Sequence, residues 1–239
     1  MNRFAFVTGA DHGLGYAFAE GLLERGYSVF AGKYLADKGN LEQLGEKYPD
    51  QLTLVPLDIS SSDSVTAAVE KARGLTDRLD LLINNAAILG DIRAKVTEPL
   101  DIEEIQEVFN VNTLGTLRVT NALTPLILQS ETKLIVNISS EAGSIATCWR
   151  ESWFAYCMSK AALNMQSALI HNELKKLGGQ VMVVHPGHVR SYMQGALDEK
   201  GSLTPAESAG QILGLVGRHK EFMGDRPAFL NYKGEAMEW

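Results

Sequence analysis

Cysteine is scarce in this 239-residue chain: only Cys148 and Cys157 occur, with eight residues between them. They lack the paired spacings of a zinc site or a redox motif, which points to a reducing compartment and a cytoplasmic location. No stretch approaches the roughly 18 consecutive apolar residues that a membrane span needs. The first apolar segment, Phe4 to Val7, runs straight into a glycine-rich turn, so no targeting segment is expected ahead of the fold. Positive charge is also in deficit, with 22 Lys and Arg against 29 Asp and Glu and a net charge of −7. Nucleic acid and anionic membrane surfaces would repel such a chain, and no local basic patch offsets this, so neither is expected as a partner. Repeats, low-complexity tracts and linkers are missing too.

What is present is an ordinary globular composition, 45% hydrophobic and 21% charged, read as one domain over residues 1–239. Short apolar runs alternate with segments of helical period, which predicts an α/β fold: a Rossmann-type, doubly wound, seven-stranded parallel sheet flanked by helices. Strands are expected near Phe4–Val7, Val29–Ala31, Leu52–Val55, Leu79–Ile83, Leu134–Asn137, Val181–Val184 and Ala228–Leu230. Helices fall near 14–25, 41–48, 62–73, 101–129, 154–177 and 205–217. Ser62 reads as an N-cap and Gly74 as the matching C-terminal glycine. Three irregular segments, 87–100, 141–153 and 187–204, all follow strand C-terminal ends, where ligands bind in open α/β sheets.

Two local patterns carry chemistry. Gly9, Gly13 and Gly15 follow the first strand and open a helix, so backbone lacking Cβ atoms can turn sharply and approach a pyrophosphate at the helix N-terminus. Tyr156 and Lys160 stand four apart on one helix face, close enough for the ammonium to act on the phenol. At the end of the second strand, where an acid would pair with ribose hydroxyls and repel a 2′-phosphate, the chain has Gly32-Lys33-Tyr34. Lys33 takes the acid's place by strand counting, and Asp37 comes too late in the loop. NADP(H) is therefore favoured over NAD(H), the alternative being that Lys33 only extends into solvent. His185 and His188 have no acidic or cysteine partners at ligand spacing, so no metal is expected.

Thr8-Gly9-Ala10-Asp11-His12-Gly13-Leu14-Gly15, Asn84-Asn85-Ala86-Ala87, Asn112, Ser139-Ser140, Tyr156-Cys157-Met158-Ser159-Lys160 and Pro186-Gly187 occur in a fixed order. Together they resemble the short-chain dehydrogenase/reductase family, in particular its carbonyl reductases, from residue 3 onward. The resemblance implies that Gly9, Gly13 and Gly15 contact a dinucleotide, with Leu14 beside the pyrophosphate. His12 sits where NADP-preferring relatives often carry a base. Asp58 matches the aspartate beside the adenine ring, and Asn85 falls in the Asn-Asn-Ala-Gly motif, whose glycine is Ala87 here. Pro186, Gly187, Val189 and Ser191 match the turn that holds the nicotinamide carboxamide, with Ser191 where threonine is usual.

For the chemistry, the resemblance assigns Tyr156 as general acid/base and Ser140 as donor to the carbonyl oxygen. Lys160 would lower the tyrosine pKa and bind the nicotinamide ribose, and Asn112 would anchor a proton-relay water; Ser139 would be structural. A unit charge about 4 Å from the phenol, at an effective dielectric near 20, is worth about 4 kcal/mol, roughly three pKa units. Lys160, staying charged, and an oxidised nicotinamide ring are accordingly expected to bring Tyr156 near neutrality. The implied activity is interconversion of a carbonyl compound and its alcohol by hydride transfer. A silent dinucleotide sensor and a dehydratase or epimerase on the same scaffold remain the rivals. Trp149, Trp153, Phe154, His188, Tyr192 and Met193 form an apolar candidate pocket, and the spacing from Ser140 to Tyr156 suggests that 144–153 bulges at its mouth. The helices at 101–129 and 154–177 are the implied interface of a homodimer or homotetramer.

Overall fold

A computed structural model describes residues 2–34, 40–193 and 198–239. The chain alternates strand and helix: β1 (Arg3–Val7), α1 (Gly13–Glu24), β2 (Tyr27–Lys33), α2 (Asn40–Lys47), β3 (Leu52–Pro56), α3 (Ser62–Arg73) and β4 (Leu81–Asn84). It continues with α4 (Ile102–Phe109), α5 (Thr116–Leu128), β5 (Leu134–Ile138), α6 (Phe154–Leu174), β6 (Gln180–His185), α7 (Pro205–Gly217) and β7 (Ala228–Asn231). The strands form one sheet in the order β3-β2-β1-β4-β5-β6-β7, and each neighbouring pair is parallel. The expected doubly wound α/β fold is therefore what the chain adopts.

Strand periodicity divides the core. Ala5 and Val7, Leu81 and Ile83, Leu134 and Val136, and Met182 and Val184 face one side of the sheet, packing with Phe18 and Leu22 of α1 and Ile212 and Leu213 of α7. The intervening Phe6, Leu82, Ile135, Val181 and Val183 face the other, against Val65 and Val69 of α3 and Leu123 and Ile127 of α5. Both faces being covered, the strands read as continuous apolar runs. Leu82 has no exposed surface, and truncating such a residue to alanine costs about 2–5 kcal/mol.

Two local expectations need correction. The α3 cap is Ser61, one residue earlier than expected: its hydroxyl accepts the Ser64 N–H at 3.3 Å, while the hydroxyl of Ser64 is taken by the Asp58 N–H at 2.9 Å. The helix expected over 101–129 is interrupted by a π-helical segment, Asn110–Gly115, between α4 and α5. There a Cβ at Gly115 would lie 2.8 Å from the Ile59 carbonyl oxygen, so the wide turn packs closely against the segment after β3. The strand order reverses between β1 and β4, the position at which the crevice of an open α/β sheet binds ligands, outside the carboxyl ends of the strands.

Candidate active site

The glycine turn after β1 is held by Thr8, whose hydroxyl accepts the N–H groups of Asn85 at 2.9 Å and Ala86 at 3.0 Å. Asn85 answers by donating its amide to the carbonyls of Thr8 and Gly9, both at 3.1 Å. This packing leaves no room at Gly15, where a Cβ would come 1.9 Å from the Gly9 carbonyl oxygen. Gly13 is the opposite case: its φ is +56° and nothing lies within 4 Å of a Cβ built there, so its backbone faces open space. The helix that begins at Gly13 has no side-chain cap and no acidic residue in its first turn. Its leading N–H groups and positive dipole end are thereby suited to a phosphate.

Around this turn, Leu14 packs onto the core beneath, and His12 stacks on Tyr192 across the cleft, ring centres 5.9 Å apart. Lys33, at the end of β2, is ion-paired with Glu42 of α2. Asp37 lies outside the described residues. Asp58 makes the bonds of a turn residue, accepting from the Ser60 N–H at 2.8 Å and the Ser60 hydroxyl at 2.6 Å. Ala87 sits without strain, since among the described residues only Lys133 and Trp153 are non-glycine residues with positive φ.

Beyond β6 the chain turns at Pro186 and Gly187, the latter with φ +79°. Val189 bridges Leu203, and the carbonyl of Ser191 accepts the Asp198 N–H at 2.8 Å. His188 bonds Asp198 at 2.7 Å. Among the described residues, no three His, Cys, Asp or Glu gather as a metal site.

At the other end of the crevice, β5 delivers Ser140 and α6 delivers Tyr156 and Lys160. The Ser140 hydroxyl caps the short turn after it by accepting the Ala142 N–H at 3.1 Å, and it favours the ionised form of the Tyr156 phenol, lowering that group's pKa. Lys160 is 3% exposed, donates to the Ile138 carbonyl at 2.9 Å and stands 5.5 Å from the centre of the Tyr156 ring. Ser139 is bonded to Asn164 at 2.7 Å, away from the phenol.

Asn112, in the π-helical segment, is fully engaged: its Oδ1 accepts the Ile88 N–H and its Nδ2 donates to the Ile88 carbonyl, each at 2.8 Å, and Nδ2 also reaches the Ser159 hydroxyl at 3.0 Å. Its side chain braces the loop after β4 against α6.

In the protein by itself, burial pushes the Tyr156 pKa up to about 12, the Ser140 hydroxyl and the Arg150 charge offset only part of this, and the Glu141 carboxylate adds to it. Burial likewise lowers Lys160 to about 8, so its charge is held with a narrow margin rather than unconditionally. The expected shift of the phenol toward neutrality includes the charge of an oxidised nicotinamide ring, and the burial of both groups opposes it.

The residues expected to line an apolar pocket are divided by the fold. Leu89, Ala142 and Tyr156 form a small buried apolar cluster, with Ile92, Trp153 and Cys157 packed against them. Trp153 meets the Tyr156 ring edge-on at 6.1 Å, whereas Phe154 turns into a separate recess with Asp91, Asp101 and Glu104. Segment 144–153 does bulge, carrying exposed Ile145 and Trp149. Sequence reasoning missed the pairing of Arg150 with Glu141, at 2.7 and 2.6 Å. The signal for it was Arg150 standing between Trp149 and Trp153.

No described helix is long and apolar enough to cross a membrane. Residues 3–202 match the short chain dehydrogenase family. An uncharacterized oxidoreductase of Schizosaccharomyces pombe is 32% identical over 98% of this chain and 96% of its own length. The mitochondrial D-beta-hydroxybutyrate dehydrogenase of Bos taurus is 34% identical over 78% of this chain, which spans only 54% of that longer protein. Among solved structures, the NADPH-bound carbonyl reductase from chicken fatty liver superposes with a TM-score of 0.86 at 32% identity, covering 100% of this chain and 94% of that one. With the parallel sheet, the glycine turn at its switch point and the serine–tyrosine–lysine cluster opposite, these matches establish that the chain belongs to the short chain dehydrogenase family of NAD(P)-dependent oxidoreductases.

Proposed function

We propose that this protein, as one dinucleotide-binding domain over residues 1–239, interconverts an apolar or aromatic carbonyl compound and its alcohol, with NADP(H) preferred. The observation that carries the reading is the gathering of Ser140 and Tyr156 with a buried ammonium group, that of Lys160, 5.5 Å from the centre of the Tyr156 ring. A carbonyl oxygen bound there gains a hydrogen bond from Ser140 and a proton from Tyr156 as its negative charge develops. A bound nicotinamide dinucleotide supplies or accepts the hydride. The uncapped start of α1, with Gly9, Gly13, Leu14 and Gly15, would hold its phosphates, and Asn85 would keep that turn closed. Asp58 would face the adenine, Lys160 the nicotinamide ribose, and the Pro186-Gly187 turn with Val189 and Ser191 the carboxamide.

Asn112 serves this arrangement by bracing the loop after β4 against α6; with its side chain so engaged, a relay water near Lys160 would be anchored through its backbone carbonyl. Trp153, Leu89 and Ile92 favour a hydrophobic substrate. NADP(H) preference is supported by Lys33 and His12, and by the cofactor of the chicken relative. Free Cys148 and Cys157 fit a reducing cytoplasm. Leu114, Leu117, Met165 and Leu169 are large apolar residues left exposed on the helices proposed to pair in a homodimer. Following nicotinamide oxidation with a panel of aromatic and aliphatic aldehydes and ketones tests the reading; a folded, cofactor-binding chain that turns over none of them overturns it.

A further inference from the structure

Directly after Ser140, Glu141 places a carboxylate near enough to the Tyr156 phenol for its charge to raise the phenol pKa. Arg150 reaches across the bulging loop and grips it with both terminal nitrogens, Nη1 to Oε2 at 2.7 Å and Nη2 to Oε1 at 2.6 Å. The guanidinium lies between two indoles, 4.7 Å from the ring centre of Trp149 and 4.9 Å from that of Trp153. Its side chain is only 11% exposed, and Nε is buried without a hydrogen-bond partner. A forked arginine–carboxylate pair fixes orientation as well as charge, and the stacking adds a planar contact on each face.

What this pair holds is strained. Trp153 has φ +68° and ψ 33°, a left-handed conformation at the residue that starts α6, and a bulky side chain adopts it only where its surroundings over-determine it. The surroundings are visible: the Arg150 stack, the bond of the Ser152 hydroxyl to the Ile92 carbonyl at 3.0 Å, and the ion pair of Lys95 with Glu151 at 2.6 Å. Trp153 in turn presents its edge to the Tyr156 ring.

We propose that Arg150 is a positioning residue for the carbonyl–alcohol reaction: it holds Trp153 as the wall of the substrate pocket against Tyr156, and it neutralises the Glu141 carboxylate that would otherwise face the phenol alone. The inference rests on the proposed role of Tyr156. The charged and titratable groups around that phenol are Lys160 and Cys157 from α6, Glu141 from the turn after β5, and Arg150 from the loop. Burial holds His185, at the end of β6, below its usual value, with Glu141 raising and Arg150 lowering it; Cys148, in the loop, is near enough to raise the Cys157 thiol.

The test is the pH profile of alcohol oxidation, whose alkaline rise reports loss of the Tyr156 proton, together with the split of KM from kcat. Arg150→Met is expected to move the rise upward by roughly one unit and to raise KM. Glu141→Gln moves it downward, and the Glu141→Gln/Arg150→Met double variant brings it back toward wild type. Arg150→Lys restores the pH position through its charge but leaves KM high, because a lysine neither forks nor stacks in the same way. Coincident profiles for wild type and Arg150→Met, or a double variant displaced as far as the single, overturn the proposal. Should Arg150→Met not fold, the direction of the Glu141→Gln shift decides.

Alkylation of Cys157 by iodoacetamide across pH, in a Cys148→Ser background, reads the same field without turnover. Burial raises that thiol's pKa, with Arg150 lowering it and Glu141 raising it further, so Arg150→Met should shift the profile up and Glu141→Gln down. Thiol shifts in a chain that reduces no carbonyl would leave the electrostatic role standing and remove the catalytic reading; turnover with unmoved profiles would do the reverse.

Discussion

The ammonium group of Lys160 stands 5.5 Å from the centre of the Tyr156 ring, and burial moves the two residues in opposite directions, the lysine down to about 8 and the phenol up to about 12. Two groups that each resist charging are thereby placed where a hydride and a proton would be exchanged. The arrangement leaves a signature in stability as well as in catalysis.

Stability of the cofactor-free protein should rise with pH between about 8 and 10.5. Below 8 both folded and unfolded chains carry the Lys160 charge, and the fold bears the cost of burying it. Between 8 and the ordinary value of 10.5 the unfolded chain keeps a proton that the folded chain has released, so stability increases, by on the order of 3 kcal/mol in full. Tyr156 works the other way above its ordinary value of 10.0, where the unfolded chain ionises first and stability falls. Tm measured against pH should show the rising limb in wild type and not in Lys160→Met. Parallel curves would mean that the lysine is not buried as a charge.

Tyr156→Phe should lower turnover by about 100- to 10,000-fold, the range general acid–base groups contribute, with dinucleotide binding largely retained. Substantial turnover in a correctly folded variant removes Tyr156 from the acid/base role.

Association through the exposed apolar residues Leu114, Leu117, Met165 and Leu169 should give a dimer or tetramer in solution. Light scattering at micromolar concentration checks this, and Met165→Glu with Leu169→Glu should return the protein to a single-chain mass. A wild type that already has that mass leaves those residues without a partner surface.

The strands and the glycine turn were legible because each is local: short apolar runs between helical segments, and glycines at fixed offsets after a strand. The π-helical segment was not, since the approach of Gly115 to Ile59 spans the fold. The rise in the proton affinity of Tyr156 was not legible for the same reason, because desolvation belongs to everything packed around the residue and not to the lysine four positions along. Ser61 rather than Ser62 caps α3, adjacent hydroxyls being alike in suiting that role, while the Ser64 hydroxyl is taken by Asp58. Arg150 and Glu141 are nine positions apart with a loop between them, and only the folded chain shows that they form one unit.

Cofactor preference turns on a comparable competition. Lys33 ends β2 where an acid would select NAD(H), yet it is ion-paired with Glu42, so part of its attraction for a 2′-phosphate is already opposed. One exposed lysine contact is worth about 1 kcal/mol, and a tenfold ratio in kcat/KM corresponds to about 1.4 kcal/mol. Wild type should therefore favour NADPH over NADH by no more than roughly tenfold. Lys33→Asp should reverse the order by replacing attraction with repulsion, and Glu42→Gln should widen the NADPH advantage a few-fold by removing the competing carboxylate. Measuring kcat/KM with both cofactors on the three proteins decides the matter: equal or better use of NADH by wild type would show that Lys33 does not read the 2′-phosphate, and a Glu42→Gln variant with an unchanged ratio would show that the ion pair does not weaken it.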